Sequence, residues 1–114
     1  MAYVEAFMAA VPTENKEKFI EFCKIAGPVF KKYGALEVVD CWGADIPDGT
    51  TTSFPLAVKL QENETVALAW TIWPDKATRD EAAKHYMDDP SFKDLSMPFD
   101  EKRAVLGCFE KLEY

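Results

Sequence analysis

Two acidic residues, Glu5 and Asp40, have the type and setting that most favour chemistry. Each falls within an apolar run that alternates like a β-strand, so each carboxyl group is expected to share a sheet face with apolar side chains. An acid in such a place either pairs with a cation or has its pKa raised by burial. Glu5 and Asp40 are therefore candidate catalytic residues or ligand anchors, with Arg103 as a plausible partner. The alternative is a solvated position at the sheet rim or a structural ion pair.

A second candidate is the tract "MPFD", which precedes the last apolar run. Met97 and Phe99 could line a pocket mouth, with Arg103 holding an anionic ligand. The alternative is a hydrophobic plug that closes the core, and apolar residues near the end of a sheet favour it. Asp100 is expected to cap the chain or to pair with Lys102 or Arg103.

The tryptophans Trp42, Trp70 and Trp73 could wall a cavity for a flat apolar ligand. Aromatic residues in small domains belong to the core more often than to a binding site. We nevertheless include Trp42 and Trp70 in the predicted pocket, together with Met97, Phe99, Asp100 and Arg103.

The sequence contains few residues in a pattern that could bind a metal ion or a cofactor. Cys23, Cys41 and Cys108 are odd in number and widely spaced, which argues against a disulfide framework, a CxxC site and a zinc site. His85 is the only histidine, and an exposed helix position is expected for it. No nucleotide-binding, haem or flavin signature is present. We expect neither a metal nor a cofactor.

Composition narrows the class of protein. A chain of 114 residues with 48% hydrophobic content predicts one domain, 1–114, with a core of its own. The net charge of −7 and the scattered basic residues exclude the basic stripe of a nucleic-acid-binding protein. No apolar stretch approaches a membrane span, and the N-terminal region does not resemble a signal peptide. Unpaired cysteines fit a reducing cytoplasm.

Hydrophobic periodicity predicts alternating strands and helices. The predicted strands are Tyr3 to Pro12, Leu36 to Ala44, Thr65 to Trp73 and Lys102 to Leu112. A first helix, capped by Thr13 and containing Pro28, is expected to end at Gly34. A second helix, capped by Asp75, should run from Lys76 to about Asp88. Ser53 and Asp89 are expected to cap shorter helices, the latter extending to Leu95. An extended segment is the alternative for the residues after Ser53.

The order β-α-β-β-α-β predicts an α+β, ferredoxin-like fold with a four-stranded antiparallel sheet and both main helices on one face. A sheet with one wet face normally alternates cleanly between apolar and polar residues. The first and third strands are apolar on both faces, so the face without helices also needs a cover. We expect a homodimer in which two sheets pack together as a dimeric α+β barrel; long loops over that face are the alternative.

Four separated tracts, in order, resemble the YbaA-like family of small bacterial proteins, which is a domain of unknown function. They are "YGALEVVDCWGADIPDG", "TSFPLAVK", "ETVALAWTIWPDKATRDE" and "MPFDEKRAVLGCFE", and the resemblance covers nearly the whole chain. It implies the dimeric α+β barrel superfamily, which contains cofactor-independent oxygenases, isomerases, haem-degrading enzymes and proteins without demonstrated activity. The resemblance therefore implies architecture rather than chemistry. Pro28 departs from the residue type expected in relatives, so the first helix could bend differently here.

Three functions remain open. The first is a protein that binds a small apolar or aromatic molecule between sheet and helices, through a polar handle met by Asp40, Glu5 or Arg103. The second is a cofactor-independent monooxygenase-like or isomerase-like enzyme in which a carboxylate removes a proton. The third is a structural dimer without a pocket. The enzyme needs an inward carboxylate with no fixed cation partner, whereas a binding protein tolerates an ion-paired acid.

Overall fold

The four apolar runs of the sequence form one antiparallel sheet in the computed structural model, which describes residues 1–114. Strand β1 spans Tyr3–Pro12, β2 Glu37–Trp42, β3 Glu64–Trp73 and β4 Val105–Glu110. The order β2-β3-β1-β4 places the two longest strands in the centre of the sheet. This confirms the predicted α+β, ferredoxin-like fold.

Three α-helices accompany the sheet: α1 at Lys16–Lys32, α2 at Phe54–Ala57 and α3 at Lys76–Ala83. Short 3₁₀ turns occur at Thr13–Asn15, Tyr86–Asp88, Pro90–Phe92 and Glu101–Arg103. None of the helices combines the length and apolar character that crossing a bilayer requires.

Strand pairing defines the two faces of the sheet. Glu5 lies opposite Thr71 and Cys108, and Asp40 lies opposite Ala69, so these side chains share one face. The helices α1 and α3 pack on this face, where Val11, Phe19 and Ala67 form a buried cluster.

The opposite face remains apolar and partly uncovered. Ala10 and Val66 are buried there beneath Val58, which directly follows α2. Farther along the same face, Leu68 is only half-buried, and Phe109 on the edge strand is 61% exposed. Loops and α2 therefore cover one end of this face and leave the rest accessible.

Three of the predicted caps form as the sequence indicates, among them Asp89, whose carboxylate accepts a hydrogen bond from the Ser91 amide at 3.0 Å. The Ser53 hydroxyl accepts a hydrogen bond from the Leu56 amide at 3.0 Å, and the Asp75 carboxylate accepts one from the Thr78 amide at 2.7 Å. Gly34 adopts a φ of +115°, a conformation that suits glycine at the end of α1.

The prediction that Thr13 caps the first helix is wrong. The helix begins three residues later, at Lys16, after a 3₁₀ turn. The Thr13 hydroxyl instead forms a 2.7 Å hydrogen bond with the hydroxyl of Thr65, which pairs with Val11 across the sheet. Pro28 lies within α1, where a proline removes one backbone hydrogen bond, and the different bend expected there stays a prediction.

Several predicted boundaries shift where the chain forms single turns. The second helix ends at Ala83 rather than near Asp88, and the helix predicted after Asp89 is only one turn, Pro90–Phe92. The last strand begins at Val105 rather than at Lys102, because Asp100 caps a 3₁₀ turn by accepting a hydrogen bond from the Lys102 amide at 3.0 Å. The second strand keeps only its central part, Glu37–Trp42.

Candidate functional site

An apolar cleft of about 300 Å³ lies between the sheet and α1, and 16 of its 21 lining residues are hydrophobic. Its size falls at the lower end of the range of small-molecule sites. Helix α1 contributes three phenylalanine rings, at Phe19, Phe22 and Phe30, because these residues recur on one side of the helix. The sheet contributes the ring of Phe7. Trp70 also borders the cleft, but its side chain points to the opposite face of the sheet.

The outer wall of the cleft is the connection between α3 and β4, residues 84–104. Tyr86, Phe92, Met97 and Phe99 of this segment all line the cleft. The Phe99 ring lies 5.0 Å from the ring of Phe7 and 5.8 Å from that of Phe22, measured between ring centroids. Aromatic contacts at such distances stabilise a cluster beyond the area they bury, so the "MPFD" tract is held over the cleft by ring packing.

Two carboxylates that line the cleft, Asp40 and the exposed Glu101, form no ion pair. Asp40 is the one of these two that belongs to the sheet. It lies on the edge strand β2 and faces α1, where the Cys23 thiol donates a hydrogen bond to its carboxylate. Asp40 remains open to solvent, yet partial burial beside the apolar walls raises the pKa of its carboxyl group, and the Cys23 bond offsets part of that rise.

The Cys23 thiol is held in its neutral form. Burial, followed by the nearby charge of Asp40, raises the pKa of Cys23 to about 12. Because the thiolate is the nucleophilic form of cysteine, Cys23 acts here as a hydrogen-bond donor rather than as a nucleophile.

Glu5 also lines the cleft but is already paired. Its carboxylate accepts hydrogen bonds from Arg79 Nη2 at 2.7 Å and from Arg79 Nε at 3.2 Å. The Glu5 side chain is 14% exposed and the Arg79 side chain is 28% exposed. The expectation that Arg103 serves Glu5 is wrong, since α3 places Arg79 directly over β1. Glu5 therefore has a fixed cation partner, whereas Asp40 has none.

Comparison with known proteins identifies the family. A family model described as "Protein of unknown function (DUF1428)" matches residues 2–101. The chain belongs to this family. Over 114 residues it is 46% identical to "Uncharacterized protein YbaA" of Escherichia coli K12, covering 98% of this chain and 97% of that protein. The protein of the same description from Shigella flexneri gives the same identity and coverage. The YbaA-like resemblance is confirmed.

Solved structures share the fold of this DUF1428 protein at low sequence identity. An uncharacterised NIPSNAP domain protein from Burkholderia xenovorans aligns with a TM-score of 0.62 and 15% identity, covering 98% of this chain and 96% of that one. SnoaB, a cofactor-independent oxygenase from Streptomyces nogalater, aligns at 0.58 and 15%, covering 99% and 95%. A dimeric ferredoxin-like protein from an uncultured marine organism aligns at 0.54 and 14%, covering 96% and 92%. These likenesses support the fold.

The residues predicted for the pocket of this DUF1428 protein divide into two groups. Trp70, Met97 and Phe99 line the cleft. Trp42 lies outside it, with its ring 5.8 Å from that of Phe19 in the core. Trp73 is fully buried.

Arg103 and Asp100 also lie outside the cleft lining. Both guanidinium nitrogens Nη1 and Nη2 of Arg103 donate to the Glu64 carboxylate at 2.8 Å, and its Nε donates to Asp100 at 3.0 Å. Nη1 also donates to the Lys59 carbonyl at 3.0 Å. Hydrogen bonding to Arg103 lowers the pKa of both Glu64 and Asp100. The guanidinium donors of Arg103 are therefore already hydrogen-bonded, and the structure does not support the expected role of Arg103 in binding an anionic ligand. The predicted pairing of Asp100 is present.

Sequence reasoning missed two residues of this site, Cys23 and Arg79, and it identified Asp89 as a cap without its partners on α1. Cys23 follows Phe22 on the apolar side of α1, so its spacing was a signal. No sequence signal could identify the ion-pair partners of Arg79 and Asp89, because these partners lie 74 and 57 residues away in the chain. No group of three or more His, Cys, Asp or Glu side chains is arranged to hold a metal ion.

Proposed function

We propose that this protein binds a small apolar or aromatic molecule in the cleft between the sheet and α1. The observation that carries the proposal is a concave, aromatic-walled space with a carboxylate, Asp40, that no basic side chain neutralises. Predominantly apolar walls with few polar groups are typical of small-molecule sites. The same space argues against a structural dimer with a filled core.

A cleft-filling variant tests the proposal. N-phenyl-1-naphthylamine is a neutral fluorophore that brightens in apolar surroundings, and the wild-type protein should bind it. Ala69 points into the cleft from β3, so Ala69→Phe should weaken probe binding at least about tenfold, as filling a pocket removes the contacts of the ligand. The matched control, Ala77→Phe, adds the same ring on the exposed side of α3 and should leave binding unchanged.

Equal binding by Ala69→Phe and the wild-type protein, or no binding by either, would contradict a ligand site in this cleft. Thermal unfolding of both variants shows whether the added ring disturbs the fold rather than the site.

A second candidate function is proton abstraction by Asp40. It is favoured by one observation, that Asp40 meets the criterion of a cleft carboxylate without a cation partner, with its pKa raised by burial. The carboxylate would take a proton from an acidic carbon of the ligand and return it at another position, as in an isomerase. A monooxygenase-like reaction would begin with the same proton transfer. SnoaB, a fold neighbour at 15% identity, is a cofactor-independent oxygenase.

The proposed assembly is a homodimer formed by the sheet face without helices. The support is the half-covered apolar surface around Leu68 and Phe109, together with the dimeric state of one fold neighbour. Two copies of one patch form a closed two-fold interface, which accounts for a face that is apolar without being buried within one chain. A cytoplasmic location remains a proposal, resting on the unpaired cysteines.

A further inference from the structure

The charged side chains that line the cleft are all acidic: Glu5, Asp40 and Glu101. The arginines on the elements around the cleft do not offset this negative charge. Arg79 is held by Glu5 and Asp80, and the guanidinium of Arg103 is engaged by Glu64 and Asp100. An anionic ligand would therefore meet carboxylates and no free cation.

Asp40 in particular lacks a counter-charge. The titratable groups that face it from α1 are Cys23, which donates a hydrogen bond, and Lys16 and Lys24, which share a shallow groove on its outer side. Neither lysine forms an ion pair with Asp40. Lys24 pairs with Glu21 at 3.4 Å, and the Lys16 ammonium stands 5.8 Å from the centre of the Trp42 ring.

The aromatic walls add a second, independent preference. Seven aromatic rings line the cleft, contributed by β1, by α1 and by the connection before β4. The faces of aromatic rings carry negative electrostatic potential and attract cations, most strongly where water is excluded. The carboxylate of Asp40 and the aromatic rings thus both favour a cationic ligand.

We propose that the ligand of this cleft is a cationic amine with a flat apolar body, its ammonium bound by Asp40 and its body packed among the aromatic rings. The proposal rests on the proposed function of the cleft as a small-molecule site and names the class of ligand. It replaces the expectation of an anionic ligand held by Arg103, since that guanidinium already has its partners.

Three indole compounds of matched shape test the proposal. Tryptamine, tryptophol and indole-3-propionate carry an ammonium, a hydroxyl and a carboxylate on the same two-carbon arm. Their affinities are measured by displacement of N-phenyl-1-naphthylamine and by calorimetry at neutral pH. Tryptamine should bind about tenfold more tightly than tryptophol, because a charge-assisted contact replaces a neutral one. Indole-3-propionate should bind most weakly.

Two variants assign the selectivity to one residue. Asp40→Asn should bring the affinity of tryptamine down to that of tryptophol. Glu37→Gln removes one negative charge from the same strand at an exposed position outside the cleft, so it should retain the preference for the amine.

A measurement on the wild-type protein covers the case in which Asp40→Asn does not fold. The affinity for tryptamine should fall as the pH is lowered through the pKa of Asp40, because protonation removes the charge that the ammonium contacts. The affinity for tryptophol should change much less. Equal pH dependence of the two compounds would overturn the proposal.

The remaining outcomes distinguish an error in the ligand class from an error in the binding site. If tryptophol or indole-3-propionate binds as tightly as tryptamine, the cationic class is wrong while the cleft remains a binding site. If the amine preference survives in Asp40→Asn, the assignment to Asp40 is wrong. If N-phenyl-1-naphthylamine does not bind the wild-type protein, the proposed function fails, and the ligand class fails with it.

Discussion

Asp40 and Glu5 show how neighbouring groups give two similar side chains different chemical characters. Both are acids in the middle of strands, and both face the helices. Arg79 neutralises Glu5 through two hydrogen bonds, whereas Asp40 has only a neutral thiol as its partner. A paired carboxylate is a poor base, whereas a raised pKa makes an unpaired carboxylate a stronger base.

The proton-abstraction alternative makes a prediction at this residue. If Asp40 is a base, the wild-type protein should catalyse exchange of the acidic C–H protons of 2-tetralone, an aromatic ketone, in heavy water. Asp40→Asn should lower the exchange rate about a hundredfold, which is a typical contribution of a general base. Exchange is followed by proton NMR, with Glu37→Gln as the control. Equal rates in the wild-type protein and Asp40→Asn would rule out this role.

Residue types alone could predict the acids but not their partners. Glu5 and Asp40 could be identified because an acid within an apolar strand is unusual in any fold. The partner of Glu5 could not, since thirteen basic residues were available and only the packing of α3 against β1 selects Arg79.

At the scale of elements, the connection between α3 and β4 depends on a small number of polar anchors. Asp89 is 4% exposed and accepts hydrogen bonds from Lys32 at 2.8 Å, from Tyr33 at 3.0 Å and from the Ser91 amide at 3.0 Å. These donors, the Lys32 ammonium first among them, hold the pKa of Asp89 well below its usual range. Asp89 thereby fixes the outer wall of the cleft to the end of α1.

Replacing this anchor should reduce stability in a pH-dependent way. A depressed folded-state pKa contributes stability above the ordinary pKa of aspartate, near ~4, and the contribution is lost as the pH falls further. Asp89→Asn should therefore lower the midpoint of thermal unfolding at neutral pH, by about 5 °C or more. The difference from the wild-type protein should shrink in acid. Asp88→Asn, at the exposed neighbouring position, is the matched control.

Thermal scans from neutral pH down to about pH 2.5 follow both variants across the ordinary pKa of aspartate. A difference that stays constant over this range would show that Asp89 does not act through its charge.

The same connection shows where prediction from sequence ends. Strands β1 and β3 were predictable because almost every position in them is apolar, and two caps were predictable because Ser53 and Asp75 precede short helical runs. Within this connection, residues 84–95 were predicted as parts of two helices and residues 102–104 as the start of the last strand, and the structure instead forms separate single turns. Their conformation is fixed by contacts with α1 and the start of β3, which local propensity cannot reveal.

At the scale of the whole molecule, the proposed homodimer depends on the uncovered sheet face. Phe109 and Leu106 lie on the same edge strand with similar exposure, 61% and 67%, but on opposite faces. They therefore form a natural pair for testing which face meets a second copy.

Phe109→Asp should weaken the dimer, raising its dissociation constant at least about tenfold, because burying an unpaired carboxylate costs well over 1.4 kcal/mol. Leu106→Asp should leave the dimer intact, since that side chain lies on the helix face. Native mass spectrometry over a range of protein concentrations measures both. A wild-type protein that is monomeric at every concentration would refute the dimer, and equal effects of the two substitutions would refute the choice of face.

The position of the cleft on the helix side of the sheet has a consequence for binding curves. If two copies meet through the other face, their clefts point away from each other, with both sheets between them. A ligand in one cleft then contacts nothing that belongs to the other. The dimer should take up two ligands independently, with a single dissociation constant and a Hill coefficient near one.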